Sequence, residues 1–165
     1  MEFKGLCFAL CFLLSAASVS GQGFHPPGQI SEVCFECLCE ASTGCDMEIG
    51  CVSNGVGQYH CGPYYISYEY WVDGGKPDED PDNPLDFEQC LNKKPCAEAS
   101  IRGYVQKWSQ DCNGDQQIDC YDWGLIHKAG PYGCNGTWVQ KTEFWSRFRA
   151  CYDKVYEFYD KASLA

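Results

Sequence analysis

Positive charge is scarce in this chain. Lys and Arg total 12 against 23 Asp and Glu, giving a formal net charge of −11 at pH 7. A field of that sign does not draw a protein to nucleic acid or to anionic membranes, so neither is expected as a partner. Long apolar runs are lacking too. The one apolar run, "GLCFALCFLL" at 5–14, is too short to span a bilayer comfortably. It follows Lys4 and precedes the small residues "SAASVSG", which is the layout of a secretory signal peptide. Residues 1–20 are therefore assigned to a signal peptide, and the expected location is extracellular. A third absence concerns acids: "VSNGVGQYH", residues 52–60, contains no Asp or Glu.

Cysteine, in contrast, is abundant. Removing Cys7 and Cys11 with the signal leaves 12 of the 14 cysteines. They are Cys34, Cys37, Cys39, Cys45, Cys51, Cys61, Cys90, Cys96, Cys112, Cys120, Cys134 and Cys151. Cys34-x2-Cys37 has a zinc-ligand spacing, but the secretory route favours an oxidised framework of disulfides. The number of possible pairings is on the order of ten thousand, so composition does not choose among them.

The organisation reads as a Gly/Pro-rich leader over 21–30, a domain over 31–151, and a helix end and tail over 152–165. Ser31 is a candidate N-cap for a helix through "EVCFECLCEA". "VSNGVGQYH" carries an Asn-Gly turn signal and predicts one short β-hairpin. "PYYISYEYWVD" is a dense aromatic run suited to core or groove wall. "GGKPDEDPDNP" reads as an exposed acidic loop. Helices are predicted in "LDFEQCLNKK", ending at Pro95, in "CAEASIRGYVQKW", in "DCYDWGLIHKAG" capped by Asp119, and in "TEFWSRFRACYDKVYEFYDKA". The fold class is α+β, mostly helical, small and disulfide-rich.

Four stretches in order resemble the invertebrate-type, destabilase-like lysozymes: "CFECLCEASTGC", "CGPYYISYEYWVDGG", "CLNKKPCAEASIRGYVQKW" and "CYDWGLIHKAGPYGC". The resemblance implies a lysozyme-like fold, with peptidoglycan or a related glycan as partner and no required cofactor. It also implies hydrolysis of a β-1,4 glycosidic bond, with an isopeptidase side-activity in some members. Glycoside hydrolysis uses two carboxyl groups, one held protonated as acid and one ionised. The family's acid is the Glu of Cys-x-x-Glu-Ser-Gly-Cys. Here that pattern runs from Cys39 to Cys45, and Ser42 stands where the Glu belongs. The partner Asp lies three residues after the next cysteine, where this chain has Asn54. The resemblance therefore implies a family member without its catalytic pair. The alternative reading is a working hydrolase, with Glu40, Asp46 or Glu48 as relocated carboxylates or with Ser42 as an isopeptidase nucleophile and His127 as its base. The cleft implied by the resemblance would be lined by Tyr64, Tyr65, Tyr70, Trp71 and His127. Relatives also have cysteines where this chain has Gly74 and Ser100, so one bridge is expected to be missing as a pair. That leaves six disulfides and no free thiol.

Two further sites stand on the residues themselves. Asp111, Asn113, Asp115, Gln117, Asp119 and Asp122 fall at positions 1, 3, 5, 7, 9 and 12 of an EF-hand-type loop, a possible Ca²⁺ site with Gln116 in place of its glycine. Asn135-Gly136-Thr137 is an N-glycosylation sequon, which predicts an exposed loop.

Overall fold

The computed structural model describes residues 30–163, with side chains of the last helix described to 155. The signal-peptide assignment and nearly all of the leader lie outside these residues. Ile30, the leader's last residue, is already buried.

The first helix, α1 (Glu32–Thr43), starts where Ser31 accepts a hydrogen bond from the Cys34 backbone N–H at 3.2 Å. It stops at Gly44, which takes the left-handed conformation with φ 72° and returns its N–H to the Glu40 carbonyl. The predicted hairpin is present as β1 (Cys51–Ser53) and β2 (Tyr59–Cys61), paired Cys51 to Cys61. A third strand, β3 (Ile66–Ser67), pairs with β2 and makes a three-stranded antiparallel sheet in the order β1-β2-β3. The single hairpin expected from sequence is thus corrected to a meander. A two-residue strand inside an aromatic run gives too little alternation to be read as one.

The remaining elements are α2 (Tyr68–Asp73), α3 (Asp86–Leu91), α4 (Lys94–Trp108), α5 (Cys120–Ala129) and α6 (Glu143–Ser163), with a 3-10 turn at Val139–Lys141. Pro95 does not end α3; it sits in the first turn of α4, where the missing N–H has no partner to lose. Helix α5 opens on a capping box between Asp119 and Asp122. Helix α6 packs along α1 and runs to Ser163, one residue beyond the predicted helical stretch.

All twelve cysteines pair: Cys34–Cys120, Cys37–Cys151, Cys39–Cys45, Cys51–Cys61, Cys90–Cys96 and Cys112–Cys134. The first two fasten α1 to α5 and α6. The core between them holds Phe35, Leu38, Ile101, Leu125, Ile126 and Phe148, each at most 1% exposed.

Gly74 and Ser100, the two positions at which the resemblance implies a missing bridge, lie against each other. A Cβ on Gly74 would stand 2.3 Å from the Ser100 carbonyl oxygen, and one on Gly103 would stand 1.9 Å from the Gly74 carbonyl oxygen. The end of α2 therefore packs backbone to backbone on α4, with Ser100 fully buried and bonded to the Cys96 carbonyl at 3.1 Å. Gly74→Ala and Gly103→Ala are each expected to destabilise the protein by about 1–3 kcal/mol, because backbone must move to admit the methyl. Equilibrium denaturant unfolding, run against a control at the exposed Gln106 of α4, Gln106→Ala, measures the difference.

Candidate functional site

The end of α1 is fixed before it reaches the site. The Cys39–Cys45 bridge closes its last turn, and the Thr43 hydroxyl donates to the Pro63 carbonyl at 2.6 Å. These two restraints set Ser42 at the mouth of a cleft of about 460 Å³. His60 of β2 with Asn54 and Tyr65 of the adjoining turns forms one wall; Lys128 of α5 with Phe144 and Arg147 of α6 forms the other.

His127 anchors the floor. Its Nε2 lies 3.0 Å from the Tyr64 carbonyl oxygen, which can only accept, so Nε2 carries the proton. Its Nδ1 then accepts from the Tyr70 hydroxyl at 3.1 Å. Burial holds the imidazole pKa down, to about 4 from 6.5, so the ring is neutral at pH 7. Ser42 Oγ sits 3.4 Å from Nε2, but its own hydrogen bond runs to the Leu38 carbonyl at 2.8 Å. With the proton on Nε2, His127 has no lone pair turned toward Ser42. The two residues are brought together as the sequence suggested, yet not as a nucleophile and its base.

Asn54 reaches the cleft from the turn between β1 and β2 and donates its amide to the Tyr65 hydroxyl. Tyr65 stacks on His60 with ring centroids 4.5 Å apart and planes 7° from parallel. The other aromatic assignments need correction. Trp71 is 1% exposed and its indole N–H donates to the Pro77 carbonyl, so it belongs to the core. Tyr70 stacks on Tyr104 at 3.6 Å and serves the cleft only through His127. Tyr64 borders the cleft, but its ring is fully buried edge-on to Phe35 and its hydroxyl donates to Glu98. Rings alternate direction along a short strand and helix, so a run of aromatics splits between core and groove.

Glu40, Asp46 and Glu48 are exposed and none lines the cleft. The one carboxylate among the lining residues is Glu143, at the start of α6, ion-paired to Arg147 at 2.6 Å. Sequence reasoning missed Glu143, Arg147 and Lys128. The i,i+4 spacing of the first two reads as ordinary helix-surface pairing. Lys128 had a signal in its position next to His127.

The EF-hand-type reading is also corrected. Asp111 accepts from the backbone N–H groups of Gly114 and Gln116, and Asp115 from that of Gln117. Asp122 is fully buried and accepts from Cys112, Asn113 and Asp119, while Asp119 caps α5. Burial raises the pKa of both Asp119 and Asp122. The spacing serves turns and a helix cap; among the described residues no group of three or more His, Cys, Asp or Glu side chains converges as a metal site. Asn135 is exposed.

A family model for Destabilase matches residues 31–151. The chain belongs to the destabilase family of invertebrate-type lysozymes. It is 35% identical over 107 residues to a lysozyme of Magallana gigas, covering 64% of this chain and 69% of that one. It is 28% identical over 120 residues to invertebrate-type lysozyme 3 of Caenorhabditis elegans, covering 72% and 84%. Among solved structures, Tapes japonica lysozyme superposes with a TM-score of 0.60 at 27% identity, over 76% of this chain and 93% of that one. Meretrix lusoria lysozyme, crystallised with Aeromonas hydrophila PliI, gives 0.60 at 24% identity, a likeness of fold, over 77% and 93%. Family lysozymes need no cofactor.

The lowered pKa of His127 makes stability depend on pH. The unfolded imidazole takes up its proton below about pH 6.5, while the folded one resists down to about 4. The unfolded state therefore binds more protons in that window, and stability contributed by neutral His127 is lost as pH falls through it. His127→Gln is expected to show a shallower loss between those two values. Urea unfolding of both proteins at a series of pH values reads the difference.

Proposed function

We propose that this member of the lysozyme family is secreted and binds peptidoglycan or a related glycan without hydrolysing it. The observation that carries the reading is the cleft itself. Ser42 and Asn54 occupy the positions that the family resemblance gives to the two catalytic carboxylates, and the lining carboxylate, Glu143, is held as an ion pair by Arg147. A serine hydroxyl does not donate a proton to a glycosidic oxygen, and an amide carries no charge to steady an oxocarbenium-like centre. General acid catalysis alone contributes about 10²–10⁴ in rate, so its loss goes well beyond detuning.

Hydrolysis by relocated carboxylates would need two acids facing one bond, and Glu40, Asp46 and Glu48 lie outside the cleft. The isopeptidase reading would need a free imidazole lone pair beside Ser42, where His127 presents its N–H to the Tyr64 carbonyl. Secretion is supported by the six disulfides, which persist in oxidising compartments. Among the described residues no helix is long and apolar enough to cross a membrane. Sugar rings pack on aromatic faces, and Tyr65 borders a cleft of suitable size.

The test is a turbidity assay on bacterial cell walls from about pH 4 to about pH 8, paired with a pull-down on insoluble peptidoglycan. Retention on the polymer without lysis is the expected result. Lysis that disappears on changing Glu40, Asp46, Glu48 or Glu143 would overturn the non-catalytic reading. Ser42→Glu combined with Asn54→Asp is expected to raise hydrolysis above the parent protein.

A further inference from the structure

We propose that the cleft selects glycans bearing a carboxylate over neutral ones, with Lys128 and Arg147 as the groups that receive the charge. The inference rests on the glycan-binding reading above and names the class of glycan.

The chain carries −11 overall, yet the cleft does not share that sign. Its lining holds two cations, Lys128 and Arg147, and one anion, Glu143, a formal net of +1. With an acid at 42 held protonated and an ionised carboxylate at 54, the same lining would be neutral. Ser42 and Asn54 therefore do more than remove catalytic groups: they leave the lining net positive.

Three neutral donors of the cleft are engaged within the protein. The Ser42 hydroxyl donates to Leu38, the His127 N–H to Tyr64, and the Asn54 amide to Tyr65. Lys128 is exposed and its ammonium is held 5.7 Å from the Phe144 ring centroid, with no carboxylate partner among the described residues. Arg147 uses Nη2 on Glu143, which leaves other N–H groups of its planar fork for a second acceptor. A carboxylate entering between α5 and α6 thus meets charged donors whose hydrogen bonds are not yet made. The acidic surface elsewhere is screened beyond about 8 Å at physiological salt, so it opposes approach more than it opposes the contact.

Calorimetric titration with chitotetraose and with carboxymethyl-chitotetraose tests the proposal, since the two share a β-1,4 backbone and differ in charge. The carboxylated oligosaccharide is expected to bind roughly fivefold tighter at low salt, the gain of one partly exposed charge contact. That advantage, read as the ratio of the two affinities within one variant, should shrink in Lys128→Gln. It should grow in Glu143→Gln, which frees the Arg147 fork. Equal affinity for both oligosaccharides would overturn the charge selectivity and leave glycan binding standing. An advantage that survives Lys128→Gln undiminished would place the carboxylate elsewhere and overturn the assignment. Binding of neither oligosaccharide would overturn the glycan reading and this inference with it.

Discussion

The domain hangs from one covalently fixed helix. Helix α1 spans twelve residues and takes part in three disulfides, two of them to α5 and α6 and one to its own C-terminal turn. A bridge constrains the unfolded chain most when the loop it closes is long, and the two distant bridges close 86 and 114 residues. A chain of this size with short strands and a modest core gains much of its definition from such links. The core then fills the space the bridges enclose, with Phe35 and Leu38 of α1 in one cluster with Ile126 and Phe148.

The same fixation makes the shape of the cleft independent of the side chains at positions 42 and 54. The position of Ser42 is set by the Cys39–Cys45 bridge, the Gly44 cap and the Thr43 bond to Pro63, none of which involves the side chain at 42. The floor is set by His127 between the Tyr64 carbonyl and the Tyr70 hydroxyl, again independent of a carboxylate. Geometry and reactivity are thus held by different residues. A substitution at 42 or 54 can alter what the cleft does without altering whether it forms.

Much of the fold was legible because its signals are local. Ser31, Asp119 and Gly130 mark helix ends by cap chemistry, and each stands at such an end in the structure. The cysteine spacing identified the family and located Ser42 and Asn54. What was not legible depends on long-range placement. Whether Tyr65 or Trp71 faces the cleft is decided by how β3 and α2 dock on α4, which no periodicity over so few residues encodes. The EF-hand-type loop misled because the same Asp and Asn spacing serves two purposes: side-chain oxygens two residues apart can wrap a cation, or they can tie down nearby backbone N–H groups. Arg147 and Glu143 reach the site from a helix more than 100 positions from Ser42 in sequence, and their pairing looked like surface decoration.

The contact between Gly74, Ser100 and Gly103 has a consequence for any crosslink placed there. Carbonyl oxygens stand where a Cβ on Gly74 or Gly103 would be. A cysteine at position 74 would meet the Ser100 carbonyl before it met a partner. A bridge between the end of α2 and α4 at this point would need the two backbones to part first, so the closeness that packs them also bars a covalent link.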